Sequence, residues 1–85
     1  MTGRMNAVTW AVLDVYAQTV EGQAVGGLAQ TLRRAAPITR LRNTARVTAE
    51  GLGALDGRGR LTPQGWTAAR NAVARLDLGN AEGVV

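Results

Sequence analysis

The chain has 85 residues, a formal net charge of +4, and neither cysteine nor histidine. These absences exclude disulfides and thiolate metal sites, and they remove the commonest metal ligand and the commonest general base. Its length and its 46% hydrophobic content predict a single domain over residues 1–78, followed by a frayed tail over residues 79–85. The apolar runs are shorter than a membrane span and the N-terminus lacks the apolar block of a signal peptide, so we expect a cytoplasmic protein without a membrane partner.

Positive charge is concentrated in the middle of the chain. All ten basic residues are arginines, and the stretch from Gly22 to Ala49 contains half of them and no acidic residue. These five are Arg33, Arg34, Arg40, Arg42 and Arg46. A guanidinium is a planar fork that matches phosphate groups and guanine edges. The distribution therefore predicts a localised surface for a polyanion.

The first predicted helix runs from Asn6 to Val20, with Asn6 as its N-cap and Gly22 as its end. Apolar side chains surround most of its circumference, and such a helix must be covered on more than one side. A chain of this length offers few elements to cover it. The second predicted helix runs from Val25 to Arg34 and ends before Pro37.

The third predicted helix runs from Pro37 to Glu50 and is amphipathic. Its inward face is expected to comprise Ile38, Leu41, Ala45, Thr48 and Ala49. The side chains expected to read DNA bases are Arg40, Asn43, Arg46 and Thr39. The side chains expected to contact phosphates are Arg33, Arg34, Arg42, Arg58 and Arg60. The competing interpretation is a solvated polar face without a ligand.

A two-stranded hairpin is predicted between Leu52 and Leu61. Asp56-Gly57 is a favoured pair for its tight turn, because both residues tolerate positive φ. Arg58 would lie at the tip and Arg60 on the return strand, within reach of a phosphate or a minor groove. A charged turn that only aids solubility is the competing interpretation for Arg58.

The last helix is predicted to start at Thr62-Pro63, as N-cap and first helical residue, and to reach Leu78. It carries an apolar stripe with the spacing of a short coiled coil, which is most often ordinary core. Together with the apolar first helix, the stripe also predicts a homodimer or partner interface. The residues expected at that interface are Trp10, Leu13, Trp66, Val73 and Leu76.

The segment after the basic helix resembles winged helix-turn-helix proteins, particularly bacterial MarR-like regulators. The matching residues are Gly51-Leu52, the turn Asp56-Gly57-Arg58-Gly59, and the junction Leu61-Thr62-Pro63-x-Gly65. The resemblance implies a mainly α fold with a small β-hairpin: a three-helix core, a recognition helix at 37–50, a two-stranded wing at 52–61 and a C-terminal helix. It also implies a homodimer, although the chain lacks the long flanking helices that dimerise full MarR-like proteins.

Two functions are compatible with these features. The first is double-stranded DNA binding by a small transcription regulator of a bacterium, phage or mobile element, with helix 37–50 in the major groove and wing 52–61 on the backbone or minor groove. The alternative is a winged-helix module that binds a protein or peptide, such as a phage protein that binds a host protein, through apolar faces of the first and last helices. Catalysis is not expected, because serine and lysine are absent as well and the six carboxylates are scattered. No cofactor and no metal site is predicted.

Overall fold

The computed structural model describes residues 5–76, which form five helices, and four of them pack around α1. They are α1 (Ala7–Ala17), α2 (Val20–Gln23), α3 (Leu28–Ala35), α4 (Thr39–Gly51) and α5 (Pro63–Arg75). All four later helices contact α1, in which residues 10–13 and Tyr16 are buried. The apolar circumference of α1 is therefore covered within one chain and does not require a partner subunit.

The predicted first helix is divided into two helices. The Asn6 side chain accepts a hydrogen bond from the backbone N–H of Val8 at 2.8 Å, which confirms the predicted N-cap. Thr19 is extended and caps α2, because its hydroxyl accepts from the N–H of Gly22 at 3.0 Å. Gly22 is buried so close to α1 that a Cβ would collide with the carbonyl oxygen of Tyr16. One continuous helix to Val20 is therefore wrong.

α4 packs on α1 through only part of the predicted inward face. Its buried residues, Ala45 and Ala49, were both predicted to face inward. Its exposed residues that were expected in the core are Ile38, Leu41 and Thr48. Arg42 turns toward α1 instead, and its guanidinium lies over the ring of Trp10. The apolar pattern missed the inward position of Arg42, because the aliphatic stem of an arginine can also cover apolar surface.

The predicted two-stranded wing is wrong. Residues 5–76 contain no sheet, and the segment between α4 and α5 forms one isolated antiparallel bridge, between Leu55 and Leu61. The N–H groups of Ala54 and Leu55 donate to the carbonyl oxygen of Ala49 at the end of α4, and Thr62 already caps α5. Helix ends thus occupy both sides of the turn and leave too little chain for a strand ladder. The described fold is mainly α.

The start of α5 follows the prediction. Thr62 Oγ1 accepts from the N–H of Gly65 at 3.0 Å, and Pro63 is the first helical residue. The same hydroxyl donates to the carbonyl oxygen of Gly53, which ties α5 to the segment after α4. The predicted extension of this helix to Leu78 and the predicted tail at 79–85 lie outside the described residues.

None of the helices described between residues 5 and 76 combines the length and the apolar character needed to cross a lipid bilayer.

Candidate nucleic-acid interface

The side of α4 that faces away from α1 is exposed to solvent. It carries Arg40, Asn43, Thr44 and Val47, whose intervals of three and four residues place them on one side of the helix. Val47 is 67% exposed, although its side chain is apolar. The Thr44 hydroxyl donates to the carbonyl oxygen of Arg40 at 3.3 Å, so it is engaged by its own helix. This face, which we call the outer face of α4, presents a cation, an amide and an apolar group in a row.

Arg42 lies on the inner side of α4 and is half-buried. Its Nε donates to the carbonyl oxygen of Pro37 at 2.9 Å, and its guanidinium carbon is 5.5 Å from the centroid of the Trp10 ring. Trp10 is held in turn, because its indole N–H donates to the carbonyl oxygen of Leu32 at 2.9 Å. The predicted phosphate contact Arg42 is therefore oriented by two contacts within the chain.

Arg46 points toward α1, away from the outer face. Its Nη2 is 3.3 Å from Oδ2 of Asp14, in an ion pair whose side chains are 51% and 26% exposed. The structure thus separates the predicted base-reading residues: Arg40 and Asn43 lie together on the outer face, Thr39 is exposed at the first position of α4, and Arg46 is held by α1.

The arginines of α3 lie beside the start of α4. Arg33 and Arg34 are exposed in the last turn of α3, five and four residues before the extended cap residue Ile38. Arg33 also lines a cleft of about 550 Å³ between α1, α3 and α4, and the other charged residues of the cleft are Arg42, Arg46 and Asp14. Three guanidinium groups and one carboxylate therefore line the same cleft.

The turn before α5 is ordered by Asp56. Its Oδ1 accepts from the backbone N–H groups of Arg60 at 2.9 Å and Arg58 at 2.8 Å. These bonds, the one from Arg60 first, hold the pKa of the Asp56 carboxyl below its ordinary value. Positive φ occurs at Gly59 (77°) and not at Asp56 or Gly57, so the predicted turn type is wrong. Arg58 and Arg60 are exposed, on a turn and not on a wing.

The predicted partner interface is mostly internal. Trp10 is 5% exposed and Leu13 is fully buried, so neither is at the surface. Trp66, Val73 and Leu76 are partly buried and pack against the same core. Their apolar character is explained by packing within the chain, and contact of these residues with a partner stays a prediction.

A cluster around Trp66 was not predicted from the sequence. The Trp66 ring meets the Tyr16 ring edge to face, with centroids 5.6 Å apart, and the guanidinium of Arg70 lies 5.2 Å from the Trp66 centroid. Arg70 donates two hydrogen bonds to Glu21, at 3.0 and 3.1 Å, and the Tyr16 hydroxyl donates a third at 3.0 Å. The spacing of Trp66 and Arg70, one helical turn apart, was the available signal.

The hydrogen bonds of this cluster shift the pKa values of Glu21 and Tyr16 and connect helices. The hydrogen bonds from Arg70 and then Tyr16 lower the pKa of Glu21, while burial and the bond to Glu21 raise the pKa of Tyr16. The carboxylate joins α2 to α5 and is engaged on both oxygens. Within residues 5–76, no group of three or more acidic side chains could hold a metal ion.

Comparison of the chain with models of protein families, with curated proteins and with solved structures found no match in any of the three.

Proposed function

We propose that the protein binds double-stranded DNA through the outer face of α4 and acts as a small transcription regulator in the cytoplasm. The observation that carries this proposal is the row of exposed side chains Arg40, Asn43 and Val47 on a helix whose opposite face is packed on α1. An α-helix fits the major groove of B-form DNA, where base pairs differ in their donor, acceptor and methyl patterns.

The three side chains suit different base edges. An arginine such as Arg40 can donate two hydrogen bonds to guanine, and an amide such as Asn43 can pair with the donor and acceptor of adenine. The methyl groups of Val47 could contact the methyl group of thymine, which would explain why this apolar side chain is exposed. Arg46 is assigned no base, because Asp14 already holds it.

Affinity would come mainly from the phosphate backbone. Arg33 and Arg34 are beside the start of α4, and Arg58 and Arg60 are exposed on the turn before α5. Ile38 supplies no side-chain cap, so the N–H groups of Thr39 and Arg40 at the start of α4 are available to a phosphate oxygen. If four to six phosphates are neutralised, the logarithm of affinity falls with the logarithm of salt concentration at a slope of about −4 to −5.

The test is fluorescence anisotropy on labelled duplexes. A preferred site is first selected from a random duplex pool, and the wild type is compared with Arg40→Ala and Asn43→Ala. Arg40→Ala is expected to lose about 1–3 kcal/mol on the preferred site and to relax specificity at one base pair.

Arg75→Ala is the matched control, because it removes the same charge from an exposed position on α5. It is expected to weaken binding to all duplexes slightly and equally. Equal losses for Arg40→Ala and Arg75→Ala on every duplex, or no binding at low salt, would contradict the proposal.

A second candidate function is contact with another protein, in the first instance a second copy of the chain. The observation that favours it is the exposure of large apolar side chains on and beside α4. They are Ile38, Leu41, Val47 and Leu52. The measurement is sedimentation equilibrium with Leu41→Glu, which is expected to abolish a wild-type dimer. Val20→Glu is the control at an 86% exposed position on α2, and a monomeric wild type at all concentrations excludes self-association.

A further inference from the structure

The cleft between α1, α3 and α4 has an excess of positive charge among its described lining residues. It is lined by Arg33, Arg42 and Arg46, and Asp14 is the one acidic residue among the lining side chains. No group in the cleft is a lysine or histidine, so its cationic donors are all guanidinium groups. Such groups present two parallel N–H donors to an oxyanion.

Arg42 is already oriented for such a contact. Its Nε is bonded to the carbonyl oxygen of Pro37, and its guanidinium lies over Trp10, which is itself fixed by the bond to Leu32. The side chain has therefore lost most of its conformational freedom before any ligand arrives. Its Nη groups take no part in the bond to Pro37 and remain as donors.

Arg46 is held less firmly. Its contact with Asp14 uses one nitrogen at 3.3 Å, and both side chains are partly exposed, so the pair is weak. An oxyanion between Arg42 and Arg46 could share Arg46 with Asp14 or replace the carboxylate. Asp14 would then oppose the ligand by like charge.

We propose that this cleft binds a single phosphate group, held by Arg42 and Arg46 with Arg33 at the rim. The cleft is larger than one phosphate, and its apolar lining, which includes Trp10 and Leu32, leaves room for carbon atoms of an ester. A phosphodiester of a DNA strand beside α4 and a free phosphate share the required chemistry. The site itself does not rest on the duplex-binding proposal.

The experiment uses the intact protein and nuclear magnetic resonance of its arginine Nε–H and tryptophan indole N–H groups. Sodium phosphate is titrated against sodium chloride at equal ionic strength. Saturable shifts are expected at Arg42 Nε–H and at the Trp10 indole N–H, whereas Trp66, outside the cleft, serves as an internal control. Shifts no larger than those with chloride would overturn the proposal.

Two variants sharpen the test. Asp14→Asn removes the opposing charge and frees Arg46, so phosphate should bind about two- to fivefold more tightly. Arg42→Gln should weaken phosphate binding by at least about tenfold. Arg42→Lys keeps the positive charge but loses the planar guanidinium, so its phosphate affinity should lie between those of the wild type and Arg42→Gln. Unchanged phosphate affinity in Arg42→Gln, or weaker affinity in Asp14→Asn, would also overturn the proposal.

A second arm identifies the source of the phosphate. If a mixed-sequence duplex shifts the same Arg42 and Trp10 signals and phosphate competes with it, the ligand is the DNA backbone. If the duplex leaves these signals unchanged while phosphate shifts them, the ligand is a free phosphate group. Because the phosphate titration contains no DNA, its failure is distinguishable from failure of duplex binding.

Discussion

Gly65 determines how closely α5 approaches the segment that follows α4. It is buried in the first turn of α5, and a Cβ at this position would collide with the carbonyl oxygen of Ala54. The approach allows the Thr62 hydroxyl to cap α5 and to bond the carbonyl oxygen of Gly53 at the same time. A glycine is needed here for space, since its φ is not positive.

Gly65→Ala is therefore expected to lower the free energy of unfolding by about 1–3 kcal/mol, as backbone atoms must shift to admit the methyl group. Urea denaturation followed by circular dichroism measures this loss. Gly51→Ala is the control, because Gly51 is exposed, helical and has open space around its Cα. It should leave stability unchanged or raise it by up to about 1 kcal/mol, and a similar loss in both variants would contradict the steric explanation.

At the scale of elements, α2 is fastened to α5 by a carboxylate. Glu21 of α2 accepts from Arg70 of α5 and from Tyr16 of α1, so three helices meet at one side chain. Asp56 orders the turn before α5 in a comparable way, through backbone N–H groups. In both cases the folded protein stabilises the ionised carboxyl and lowers its pKa.

These two pKa shifts predict a loss of stability in acid. A carboxyl whose pKa is lowered on folding contributes stability above its unfolded pKa, and this contribution disappears as pH falls toward the folded pKa. We take the ordinary pKa values of these carboxyl groups, 4.5 for Glu21 and 3.8 for Asp56, as those of the unfolded chain. The urea concentration at the unfolding midpoint should therefore decrease as the pH is lowered below about 4.5. The decrease should be smaller in Glu21→Gln than in the wild type, because glutamine cannot ionise. An equally steep decline in Glu21→Gln would show that other carboxyl groups dominate.

At the scale of the whole molecule, α1 is the centre of the core. The other four helices contact it, and Leu13 has no exposed surface. Such an arrangement couples every helix to the packing of α1, so the described residues are expected to unfold as one unit.

Leu13→Ala should lower the free energy of unfolding by about 2–5 kcal/mol, the range for a buried leucine that leaves a cavity. The loss should be the same by circular dichroism and by tryptophan fluorescence. Val20→Ala, at an 86% exposed position on α2, should change stability by no more than about 0.5 kcal/mol. Different transitions for the two probes in the wild type would contradict a single cooperative core.

Interactions between residues close in the chain were predictable from the residue types and their spacing. Asn6 and Thr62 were identifiable as caps because a short polar side chain before an apolar run bonds the first free N–H groups of the helix that follows. Helical spacing also predicted the outward positions of Arg40 and Asn43 on α4. Formal charge identified the arginine-containing segment without acidic residues. Neither prediction depends on which residues are neighbours in the fold.

Which side chains of each helix are covered depends on contacts between segments that are distant in sequence. The inward positions of Arg42, stacked on Trp10, and of Arg46, paired with Asp14, depend on partners that are distant in sequence. The loss of the strand ladder depends on the end of α4 capturing the N–H groups of Ala54 and Leu55. In each case, different contacts compete for the same atoms or the same surface. Hydrophobic periodicity and turn preferences do not predict which contact forms.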